Sequence, residues 1–244
     1  MKNIKDGTMN GEIKAVLIDI DNTLLSFDEY AKSTICSGFQ FYNLGEYDDS
    51  VFLVFNRINS GLWEQLEKGE LSFEELIKIR FNLIFRELGI NFDGEEFERY
   101  FRKKLNDSAI PVPGALELLE YLKGKYIVCA ASNGPLRQQT QRINISGMLP
   151  YFNHLFISEE IGFTKPSAEY FQICMDRINA DLPPEQKLLP YECIMIGDSL
   201  TSDIAGGLGF GMKTCYFNIY RKDPLKNPDV TYEVFSLSEI MHIL

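Results

Sequence analysis

At 244 residues, with 45% hydrophobic and 13% aromatic content, the chain is too apolar for a disordered segment. It is long enough for one large domain, or a domain carrying an insert, around a sizeable core. Its net charge of −11, without a basic stretch longer than two or three residues, argues against nucleic acid as a partner, and no apolar run of about eighteen residues offers a membrane span. The charged start MKNIKDGTMNGEIK lacks the apolar stretch of a secretory signal, so a cytoplasmic monomer or homodimer is expected.

Strand-like runs alternate with helical patterns, as in a parallel α/β sheet. In chain order, strands are predicted at 14–20 (KAVLIDI), 125–131 (KYIVCAA), 154–158 (HLFIS), 191–196 (YECIMI) and 213–217 (KTCYF). About 105 residues separate the first two, far beyond a βα connection, and their patterning is helical. In LSFEELIKIRFNLIFRELGI, Ser72 and Glu75 form a capping box, and Phe73, Ile77, Phe81, Ile84 and Leu88 form an apolar stripe ending at Gly89. GEEFERYFRKKL is a second amphipathic segment. Residues 27–108 should therefore form a separate helical insert, with 11–26 and 109–244 as a doubly wound core and the Phe and Tyr residues of 39–55 in the insert's own core. Beyond the second strand's approach, PVPGALELLEYLKG sets Leu116, Leu119 and Leu122 on one side, and SAEYFQICMDRINA does the same with Tyr170, Phe171, Cys174 and Ile178. Residues 1–12 carry no motif and no expected role, and translation could begin at Met9.

The five cysteines (Cys36, Cys129, Cys174, Cys193 and Cys215) show no CxxC spacing and read as reduced, buried thiols. With only His154 and His242 available, chemistry falls to carboxylates, hydroxyls and lysine. Ligands gather at the carboxyl ends of strands in open parallel sheets. The first strand ends in Asp19 and Asp21, with Thr23 close behind; two like charges this near each other call for a cation. The second ends in Ser132, Asn133 and Gly134, a hydroxyl and two amides suited to an anion. After the third comes Lys165-Pro166, and the fourth ends in GDSLTSD, with Asp198, Ser199 and Asp203.

These four pieces resemble, in order and spacing, the four motifs of the haloacid dehalogenase superfamily: Asp19-Ile-Asp21-Asn-Thr23, Ser132-Asn133-Gly134, Lys165-Pro166 and Gly197-Asp198-Ser199-Leu-Thr-Ser-Asp203. The resemblance implies a Rossmann-like core under a helical cap of the superfamily's first cap class, and a Mg²⁺-dependent phosphomonoesterase. Asp19 would be the nucleophile, forming an aspartyl-phosphate, and Asp21 the general acid and base. Thr23, Ser132 and the amides around Asn133 and Gly134 would hold phosphate oxygens, and Lys165 would balance charge. Asp19, Asp198 and the backbone carbonyl of Asp21 would bind Mg²⁺. Asp203 reads as a helix cap, a support behind the ligands or a ligand itself, and Ser199 as a second support.

The stretches DNTLLSFD, LWEQLEKGELS, YFNHLFISEEIGFTKP and GDSLTSDIAGGLGFGMKTCYFN are similar to the small bacterial pyrimidine 5′-nucleotidases of the YjjG/YfnB type. That implies a nucleoside 5′-monophosphate as the small-molecule partner, with Asn59 as a cap contact. Trp63, the only tryptophan, reads first as an anchor of the helical core and second as a stacking platform for a base. A phosphosugar phosphatase or mutase keeps the same core and differs in cap contacts. Asp21 argues against dehalogenation, because halide departure needs no acid. A phospho-acceptor module of the receiver type uses the same residue types but carries its aspartate on the third strand, and a ligand-binding module would not need the whole motif set.

Overall fold

The computed structural model describes residues 12–221 and 227–244, so the expectation for residues 1–12 falls almost wholly outside the described residues. The apolar run before Asp19 forms β1 (Ala15–Ile18), buried at every position, as expected of a strand covered on both faces. Four helices follow: α1 (Phe27–Tyr42), α2 (Asp49–Glu67), α3 (Phe73–Leu88) and α4 (Gly94–Asn106). The chain returns through α5 (Ala115–Leu122), β2 (Ile127–Ser132), α6 (Leu136–Ile145), β3 (His154–Ile157), the single turn α7 (Ser158–Ile161) and α8 (Ala168–Ala180). It continues with β4 (Cys193–Gly197), α9 (Ala205–Phe210), β5 (Lys213–Phe217), β6 (Tyr232–Val234) and α10 (Leu237–Ile240).

All six strands are parallel, in the order β3-β2-β1-β4-β5-β6. The chain order reverses at β1, where Ile18 pairs with Ala130 on one side and Ile196 on the other. Asp19, Ser132 and Asp198 therefore emerge along one edge, at the position where ligands bind in such sheets. Alternate residues of β1 feed opposite layers. Val16 and Ile18 join a cluster with Leu118, Leu122 and Leu237, while Ala15 and Leu17 pack with Phe171, Cys174 and Ile178. Cys36 is half-buried, the other four cysteines are buried, and all five are free. No helix among the described residues is long and apolar enough to cross a membrane.

Helices α1–α4 enclose an aromatic cluster of their own in which Phe81 packs 4.6 Å from Phe97 and 5.3 Å from Phe101, centroid to centroid. The Ser72–Glu75 capping box forms at the start of α3, and Gly89 closes that helix in the left-handed conformation. The buried face of α3 differs from the expected stripe. Leu76, Arg80, Phe81, Ile84 and Phe85 are buried, whereas Phe73, Ile77 and Leu88 sit at its margins. Arg80 was passed over as polar, but it is fully paired: Nε and Nη2 donate to Glu98 at 3.0 and 2.6 Å, under the rings of Phe81 and Phe101. Three smaller differences have similar causes. Leu118, not Leu116, faces the sheet from α5; Phe41 is 68% exposed, stacked on Tyr100; and β6 is a short edge strand with little apolar signal.

Candidate active site

Just past β1, Asp19 is held by a hydrogen bond from its own amide to the Ile196 carbonyl (2.9 Å), which ties it to β4. The residue is 8% exposed. Lys165, 1% exposed, spends all three ammonium protons at 2.7 Å, on Asp19 Oδ1, Asp203 Oδ1 and the Ala131 carbonyl. Burial pulls the lysine pKa down, but the two carboxylates outweigh it and the net shift is upward. For Asp19 burial wins over the lysine, and with the charges of Asp203 and Asp21 it pushes the carboxyl up to about 7. Asp198 is raised well above the usual carboxylate range by burial first and by Asp19 and Asp203 next.

Each partner is placed by local sequence. Lys165 precedes a cis proline, and its backbone is clasped by the Asn133 side chain, whose Oδ1 accepts from Lys165 N (2.8 Å) and whose Nδ2 donates to Lys165 O (2.9 Å). Asp203 gives its second oxygen to the Ser199 amide (3.1 Å), and a Cβ on Gly197 would lie 2.1 Å from that oxygen, so β4 must end in glycine. Asp203 thus stands behind Lys165 and Ser199 caps the turn that carries it, its Oγ accepting from Ser202 N (3.2 Å). The Ser132 hydroxyl accepts from Gly134 N (3.0 Å) and Gln139 Nε2 (2.8 Å), which leaves its own proton for an anion in the cavity.

Two placements depart from expectation, and a third concerns the acidic cluster. Thr23 is fully buried, its hydroxyl has no hydrogen-bond partner among the described residues, and it is not one of the residues that line the cavity. The Gly134 amide is turned onto Ser132 Oγ rather than into the cavity; a Cβ there would press on Gln139 at 2.6 Å. The carboxylate oxygens that cluster within 4.8 Å belong to Asp19, Asp198 and Asp203, because the Asp21 side chain turns to α6. There Arg142 Nη1 donates to Asp21 Oδ1 and Gln139 Nε2 to Oδ2, each at 2.5 Å.

The donor set fits a hard divalent cation. Asp198 accepts no hydrogen bond from any described residue, and four carboxylates share only Lys165 and Arg142 as buried cations. Oxygen-only ligands of this kind suit Mg²⁺.

Above this edge lies a cavity of about 630 Å³, walled on the insert side by one face of α2: Asn56, Asn59, Ser60, Trp63 and Glu67. Asn59 is buried, lines the cavity, and its Oδ1 accepts from Arg80 Nη1 (2.8 Å), which fixes which end of the amide is the oxygen. Trp63 packs 6.0 Å from Phe73 and also lines the cavity. Glu67, which sequence reasoning passed over, accepts from Thr201 Oγ1 (3.0 Å) across the gap to the loop after β4, and burial raises its pKa.

A parallel sheet in this order, with a buried carboxylate–lysine pair, a serine hydroxyl and an acidic cluster at one edge, has the architecture of an α/β hydrolase. The chain belongs to the haloacid dehalogenase-like hydrolase family, whose model matches residues 13–211. It is 32% identical to the HAD-hydrolase YfnB of Bacillus subtilis, over 95% of each chain. It is 33% identical to the pyrimidine 5′-nucleotidase PynA of Streptococcus pneumoniae, over 95% of this chain and 94% of the relative, and 28% identical to the pyrimidine 5′-nucleotidase YjjG of Escherichia coli, over 94% and 96%. The magnesium-bound crystal structure of YfnB superposes with a TM-score of 0.84, covering 96% of this chain and 99% of that one.

Proposed function

We propose that this hydrolase is a Mg²⁺-dependent phosphatase of nucleoside 5′-monophosphates, pyrimidine ones above others, with α1–α4 (residues 27–108) as a cap over the site. The observation that carries the reading is the juxtaposition of Asp19, Lys165 and Ser132 beneath the amide and aromatic face of α2. Asp19 attacks phosphorus and the ester oxygen leaves with a proton from Asp21; water then attacks the aspartyl-phosphate and gives its proton back to Asp21. Lys165 and Ser132 oppose the charge on the equatorial oxygens. Asp19, Asp198 and the Asp21 carbonyl would hold Mg²⁺, which would supply positive charge against the phosphate dianion. The names of PynA and YjjG support the substrate class.

The insert side fits a base. Asn59 presents a fixed N–H₂ donor, which pairs with the carbonyl acceptor that cytosine, uracil and thymine share, and Trp63 offers a ring beside it. The change Asn59→Asp keeps the acceptor that Arg80 needs and replaces the cavity donor by an oxygen. KM for pyrimidine monophosphates is expected to rise about tenfold or more with kcat little changed, as steady-state kinetics will read.

The reading itself is tested by phosphate release from a panel of nucleoside monophosphates and sugar phosphates, with Mg²⁺ and with EDTA. Fast Mg²⁺-dependent release from pyrimidine monophosphates is the expected result. Release from sugar phosphates alone would replace the nucleotide assignment, and no release from any ester would sink the phosphatase reading.

A further inference from the structure

Arg142 is 1% exposed, yet among the described residues its only ion-pair partner is Asp21 and its Nε finds no acceptor. A buried guanidinium is costly unless it is paired, so this one is in place for a single carboxylate. Gln139, one helical turn earlier on α6 and also fully buried, completes the arrangement. Its Nε2 reaches Asp21 Oδ2 and Ser132 Oγ, and its Oε1 accepts from Arg142 Nη1 at 2.9 Å. The amide of Gln139 is thereby locked in one orientation, and both oxygens of Asp21 are engaged from behind.

We propose that Gln139 and Arg142 are positioning residues that fix the Asp21 carboxylate for proton transfer to and from the substrate oxygen. The proposal rests on the role assigned to Asp21 above. A carboxylate offers about four lone-pair sites, and two are taken by α6. A lone pair on each oxygen is left unused by α6, and Asp21 lines the cavity with its side chain 33% exposed. A free aspartate would have to be caught in one rotamer at the moment of reaction; here the plane of the carboxylate is set before substrate arrives. Because Gln139 also holds Ser132, the same side chain ties the acid to the group that orients the phosphoryl oxygens.

The chemistry gives a readout that a structural role would not. A nucleoside leaving as an alkoxide needs a proton, whereas p-nitrophenolate departs without one, and kcat/KM covers the steps through leaving-group departure. With Mg²⁺ present, Arg142→Met and Gln139→Met are expected to lose about 10²-fold in kcat/KM on a pyrimidine monophosphate. On p-nitrophenyl phosphate the loss should be only a few-fold. Arg142→Lys, which returns one N–H donor, should recover part of the nucleotide activity, and adding Asp21→Asn to Arg142→Met should cost little more than Asp21→Asn alone. Equal loss on both esters, or no loss on either, would overturn the proposal. If Arg142→Met does not fold by circular dichroism, Gln139→Met, which removes no charge, decides the question by the same ratio. Turnover of neither ester by the wild-type enzyme would instead overturn the phosphatase reading, and this one with it.

Discussion

Asp19→Asn protein is expected to fold and to lose phosphatase turnover by roughly 10⁴-fold or more, the scale at which removal of a nucleophile acts. The amide retains an oxygen for Lys165, so the geometry around the 2.7 Å contact should persist. The same variant should be more stable than wild type in EDTA at pH 8. In the folded protein burial lifts the Asp19 carboxyl from 3.8 to about 7, so the folded state holds that proton more tightly than the unfolded chain. Metal-free stability therefore falls as pH rises from about 4 to about 7, by up to about 4 kcal/mol, and asparagine has no such charge to acquire. Denaturant melts of both proteins at pH 4 and pH 8 check this: near-equal stability at the lower pH and a gap in favour of the variant at the higher one. A wild type that is no less stable at pH 8 would mean that the site carries no uncompensated charge.

Lys165→Met is expected to be damaging in both respects. The lysine is the shared cation of Asp19 and Asp203 and the only donor from the loop after β3 that reaches the Ala131 carbonyl. Its removal leaves two buried carboxylates without their counter-charge, a loss of about 3–5 kcal/mol at neutral pH that should shrink in acid as the carboxylates protonate. Turnover at saturating nucleotide and Mg²⁺ should fall by about 10³-fold, since the charge opposing the equatorial oxygens goes with it. Urea denaturation at pH 5 and pH 8, beside phosphate release, reads both effects. Retention of activity within tenfold would show that Lys165 serves the fold rather than the chemistry.

Asp19, Ser132 and Asp198 were legible at one edge because each ends or follows a short apolar run, and strand ends in a parallel sheet converge whatever the details between them, whereas Lys165, eight residues past β3, came from its Lys-Pro motif. The Ser72–Glu75 cap and the buried face of α8 were legible for the same reason, being local patterns. What was not legible depends on partners far away in sequence. Arg80 looks solvated until Glu98 and Asn59 close around it, and Gln139 and Arg142 read as the polar face of α6 until Asp21, more than a hundred residues earlier, turns toward them. Thr23 lies off the cavity wall, because the turn after β1 carries its hydroxyl inward without a partner among the described residues. Leu118 for Leu116 is a register error within one turn of a short helix, where a few leucines satisfy more than one face.

The central claim, that Asp19 carries the phosphoryl group, is tested most directly by trapping. Protein with Asp21→Asn, which keeps the nucleophile but slows attack of water on the intermediate, is mixed with p-nitrophenyl phosphate and Mg²⁺, quenched in acid and reduced with borohydride. An aspartyl-phosphate becomes homoserine, and peptide mass spectrometry reads its position. The expected result is homoserine at position 19, dependent on both the ester and Mg²⁺. Release of p-nitrophenol with Asp19 unmodified, or with the label on another carboxylate, would contradict the account.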